Sequence, residues 1–63
     1  MKIHSDNFKK ENQINVYDFI RNNVPDEYYT KFMRAFTNWD STLNMSSYSE
    51  GVCWMMLDEA YGN

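Results

Sequence analysis

Six apolar residues in a row, Val52-Cys53-Trp54-Met55-Met56-Leu57, stand near the end of a chain of 63 residues. Nothing else in the sequence restricts the fold so tightly. A helix spreads such a run around its circumference, and a strand presents it on both faces. In either form the rest of the chain must cover it. Little chain is left for that task, since a sequence of this length builds one domain at most.

The run reads as part of a helix over 47–61. Ser47 and Glu50 have the S-x-x-E spacing of a capping box, directly ahead of the apolar residues. Gly62 is placed to end the helix. Gly51 and Val52 are poor helix formers, so a buried strand at 52–57 is the alternative, which would make the fold α+β.

On a helical wheel Val52, Met56, Ala60, Cys53, Leu57, Tyr61 and Trp54 sweep roughly 200°. Met55 falls outside that arc, between Asp58 and Glu59. A helix on the surface of a small bundle buries a narrower stripe, on the order of 100–140°. The excess lies at Trp54, Leu57 and Tyr61, with Met55 as an outlier. Either this is the central helix, wrapped fully by the other helices and the loop, or part of the arc faces another chain. Size sharpens the second reading. Cores are marginal at this length without a staple, and Cys53 is the only cysteine, so no internal disulfide forms.

Two further helices are predicted. The first covers 15–23, with Asn15 as N-cap and Val16, Phe19 and Ile20 on one face. It stops at Val24, because the residue before a proline is pushed towards extended backbone. The second covers 25–39. Pro25 suits a first helical position, and Asp26 and Glu27 suit the positive end of the helix dipole. Ala35, Tyr28, Trp39, Phe32, Phe36, Tyr29 and Met33 share its apolar face. Residues 38–49 are rich in Ser, Thr and Asn and read as a loop, with Leu43 and Met45 turned inward. The expectation is a mostly all-α, small three-helix domain over 15–63, preceded by a polar arm at 1–14 with an optional short strand at 2–4.

Charge and composition exclude several functions. The net charge of -3 argues against direct binding of nucleic acid through phosphate neutralisation. Residues 1–24 carry a net +1 and residues 25–63 a net -4, and no basic residue follows Arg34. No stretch approaches the ~20 apolar residues of a membrane span, and the N-terminal residues lack the apolar core of a secretory signal. A lone cysteine and no signal point to the cytoplasm.

No catalytic constellation is visible. His4 lies in a polar arm without a partner, and Cys53 sits among apolar neighbours, where cysteine acts as a small hydrophobe. One His and one Cys fall short of a zinc site. Asp26-Glu27 and Asp58-Glu59 are adjacent in helices, so each pair diverges by about 100° instead of converging on a substrate. The aromatics of 28–39 resemble a base-stacking platform only in type, because their two cations lie on the opposite face. No cofactor, metal, small-molecule substrate or enzymatic role is expected.

What remains is a small acidic protein-protein interaction module. Trp54, Met55, Leu57 and Tyr61 are the expected contact residues, since such types dominate interface energetics. Asp40, Glu50, Asp58 and Glu59 are the expected charged rim that steers a basic partner. By analogy of size and charge, such a module would inhibit or regulate a larger, nucleic-acid-binding protein, as products of phages and other mobile elements do. The alternative is a homo-oligomer that assembles through the C-terminal helix, in a structural or regulatory role.

Overall fold

The structure, a computed structural model, describes residues 4–62. Three helices form its frame: α1 (Val16–Asn23), α2 (Tyr29–Trp39) and α3 (Glu50–Gly62). A two-residue antiparallel ladder joins β1 (Gln13–Ile14) to β2 (Tyr48–Ser49), in the register Gln13 to Ser49 and Ile14 to Tyr48. Short 3-10 turns cover Ser5–Lys9 and Asp26–Tyr28. The small three-helix domain expected from the sequence is therefore present, with a minor β element that lies outside 52–57. The strand considered at 2–4 lies outside the described residues except for His4, which caps the first 3-10 turn through its ring nitrogen.

α1 forms as its sequence indicates. The Asn15 side chain accepts a hydrogen bond from the Asp18 amide at 3.1 Å, and Val16 and Phe19 are buried. α2 starts later than predicted. Pro25 is extended, and Asp26–Tyr28 wind as a 3-10 turn before the α-helix begins at Tyr29. Tighter winding of this kind is common in a first turn.

The start of α3 departs further from expectation. No capping box forms at Ser47. Its hydroxyl donates to Gln13 Oε1 at 3.1 Å, and Tyr48 and Ser49 are drawn into the ladder with β1. The helix begins at Glu50. Its first amides are met by backbone carbonyls of the N-terminal segment: Glu50 N–H donates to Asn12 O at 2.9 Å and Gly51 N–H to Lys10 O at 2.8 Å. A distant stretch of chain thus does the work that a capping side chain does at most helix starts. At the other end Gly62 closes α3 without the left-handed backbone of a glycine stop.

The core is Val16, Phe19 and Val24 from α1 and its exit, Phe32 and Phe36 from α2, and Cys53, Met56, Leu57 and Ala60 from α3. Phe32 stacks on Phe19 with ring centroids 5.9 Å apart and meets Phe36 edge-on at 5.6 Å. α3 is the central helix. Residues 4–14 are not set apart from the domain: Phe8 and Ile14 pack against the core, and the first 3-10 turn lies across α3 at Gly51. A Cβ there would come within 2.5 Å of Phe8 O and 2.7 Å of Lys10 O. Glycine at position 51 is what lets the two backbones approach so closely.

Candidate interaction surface

Each residue expected at a contact surface has a definite place. Leu57 is fully buried and belongs to the core, so it meets no partner in this conformation. Trp54 is half-buried. Its ring packs edge-on against Phe19 at 4.9 Å, and its Nε1–H donates to Glu50 Oε2 at 2.8 Å. Tyr61 is half-buried against Tyr28, centroids 4.5 Å apart. Its hydroxyl is buried without a hydrogen-bond partner among the described residues, and burial pushes its pKa up. Met55 alone of the four is exposed, at 45%. The broad apolar arc of α3 is thus covered mostly from within. The sequence reading missed the cover because it took residues 4–14 for an arm, when they supply a further wall.

The acidic residues divide in the same way. Asp58 and Glu59 are exposed on α3, one turn beyond Met55, and Glu59 borders the groove against α2. Glu50 is committed internally. Its side chain is only 19% exposed and lies 3.4 Å from Lys10 Nζ, and Oε1 accepts from Asn12 Nδ2 at 2.9 Å. The bonds from Trp54 and Asn12, with Lys10 nearby, hold its carboxyl below the usual range against the opposing effect of burial. Glu50 is a clasp between the N-terminal segment and α3, not a rim charge. Asp40 is also engaged: Oδ1 accepts from the Thr42 amide at 2.9 Å and hydroxyl at 2.7 Å, and Oδ2 accepts from the Tyr48 hydroxyl at 2.7 Å. Those bonds, from Thr42 first and then Tyr48, lower its pKa. Burial and the bond to Asp40 push Tyr48 up to about 12.

Among the described residues, the large apolar side chains left exposed are Tyr17, Tyr29, Trp39 and Met55. Trp39, at 53% exposure, stands at the end of α2. The apolar period of the helix placed it on the buried face, but α2 ends there and the indole projects past the core. Only the coincidence of the helix end with Trp39-Asp40 would have revealed this in the sequence.

The two side chains most often used in nucleophilic chemistry, Cys53 and His4, differ in access. Cys53 is fully buried, and burial pushes its thiol up to about 12, with a further push from Glu50. A nucleophilic cysteine needs the thiolate. His4 is exposed on the N-terminal turn beside Asp6, on a different element from Cys53. Among the described residues no group of His, Cys, Asp and Glu side chains is arranged to hold a metal ion, and no helix is long and apolar enough to cross a membrane. An open groove of about 180 Å³ lies between α2 and α3, lined by Lys31, Arg34, Ala35, Asn38, Glu59 and Ala60. No protein-family model, curated protein or solved structure matches the chain.

Proposed function

We propose that the protein is a non-enzymatic, acidic protein-binding module of the cytoplasm. In this reading it inhibits or regulates a larger protein by occupying a basic surface of the kind that otherwise meets nucleic acid. One observation carries the reading. Trp39 and Met55 stay exposed after the core has closed, in a stretch from residue 35 onward that holds acidic residues and no basic one. Tryptophan and methionine are enriched at interface centres, and a one-signed charge speeds encounter with a complementary partner.

The contact set follows from exposure. Met55 is an apolar contact, and Asp58 and Glu59 flank it as charges. Trp54 contributes by its exposed edge, and Leu57 by holding α3 in place. Self-association through α3 would rest on Met55 as its one well-exposed apolar side chain, so an external partner is the better-supported reading.

The test is retention of a protein from native cytosol on immobilised wild type and on Met55→Asp, with sedimentation of both forms. A discrete protein held by wild type, and held at least about tenfold less by Met55→Asp, is the expected result. A monomeric wild type that retains nothing contradicts the reading.

A further inference from the structure

This inference rests on the reading of the chain as a protein-binding module, and gives that module a docking point and a partner chemistry. Several features meet at the C-terminal end of α2. The Trp39 indole is more than half exposed, yet it is braced edge-on by Tyr48 at 5.8 Å and Phe36 at 6.5 Å. Tyr48 is held in turn by its hydroxyl bond to Asp40, and Asp40 by Thr42. The side chain is therefore set before binding, which lowers the entropy lost on association.

Negative potential collects at the same place. The C-terminal end of a helix carries the negative end of its dipole. Asp40, the next residue, adds a full charge. The face of an indole is the negative part of its quadrupole. No lysine or arginine occurs after Arg34, and Lys31 and Arg34 lie back along α2 in the groove against α3. We propose that the end of α2 is a docking knob for a basic protein surface, with an arginine guanidinium of the partner stacked on Trp39 and drawn in by Asp40. Guanidinium is the cation best suited to stack on an aromatic face. A second copy of this chain is a poorer occupant, since each copy carries a net charge of -3 and the copies repel.

The experiment reads the fluorescence of the wild-type protein, with Trp39→Phe as the control that isolates the Trp39 contribution. A peptide of alternating glycine and arginine is titrated in, beside its lysine and citrulline counterparts. Saturable quenching by the arginine peptide is expected, about three- to fivefold weaker with lysine and absent with citrulline. Asp40→Asn should weaken the arginine response about threefold or more, with circular dichroism unchanged. An equal response to citrulline, or no saturable response to arginine, overturns the proposal. Retention of the native partner separates the two levels of inference. Loss with Trp39→Ser, or partial loss with Trp39→Phe if the serine form does not fold, supports the docking point. Retention unaffected by both, but lost in Met55→Asp, removes the docking point and leaves the module reading intact. A dimer of the wild type that Trp39→Ser dissolves would put a second copy at this site and overturn the basic partner.

Discussion

At the scale of the residue, Gly51 separates local preference from packing most cleanly. Local preference favours alanine there, by roughly 1 kcal/mol within a helix. Packing forbids it, because the space for a methyl group is already filled by the carbonyl oxygens of Phe8 and Lys10. Those atoms are backbone, and the Lys10 carbonyl is itself held by the Gly51 amide. Gly51→Ala should therefore destabilise the fold by about 2 kcal/mol despite its better helix propensity. Urea unfolding checks this: a midpoint at or above that of wild type would mean that the N-terminal segment does not lie on α3. Read along the sequence, Gly51 looks like a flaw in the helix. It is the condition for the approach of another stretch of chain about 40 residues away, and no local pattern carries that information.

At the scale of the element, the start of α3 is held by one carboxylate. Glu50 gathers Asn12, Trp54 and Lys10, and its folded pKa lies below the ordinary value of 4.5. A lowered folded pKa contributes stability that is fully present above the unfolded value. It is lost as pH falls from about 4.5 through the lower folded value. Glu50→Gln should cost about 1 kcal/mol at pH 7, and melt about 5 °C lower. That gap should close as the pH is taken below the folded value. A gap that persists unchanged at pH 2 would show that shape, not charge, holds the clasp. The elements differ in how much of this was legible beforehand. α1 was, down to its Asn15 cap, because cap and apolar period act within one turn. α2 was legible apart from its 3-10 start and its two ends, where Tyr29 and Trp39 are exposed instead of buried. The S-x-x-E spacing at Ser47 misled, because ladder bonds to β1 compete for the same residues and win. Glu50 and Asp40 read as free surface charges, since their partners at Lys10, Asn12 and Tyr48 lie where sequence spacing gives no sign of contact.

At the scale of the whole molecule, the surplus of apolar surface on α3 proved to be mostly internal. The sequence was right that one helix carries more than two neighbours can shield, and wrong about what shields the rest. Residues 4–14 look polar because Phe8 and Ile14 are few among charged and amide neighbours. Two anchors, with a run of backbone carbonyls, suffice to make that stretch a wall. Of the exposed apolar residues after residue 35, Met55 was visible from its place off the wheel's arc, whereas the apolar period of α2 set Trp39 on the buried face. A helix period has no means of announcing where the core beneath it ends.

The seating of residues 10–12 on the first turn of α3 has a dynamic consequence. The opening amides of a helix ordinarily trade hydrogen with water first, because they face solvent. Here the amides of Glu50 and Gly51 are clamped by the far end of the chain, so the first and last elements lock one another and neither can peel away alone. Deuterium should enter these two positions as slowly as it enters the middle of α3, at the pace of complete opening. Rapid labelling there, while Met56 and Leu57 stay protected, would reveal a seam instead of a lock.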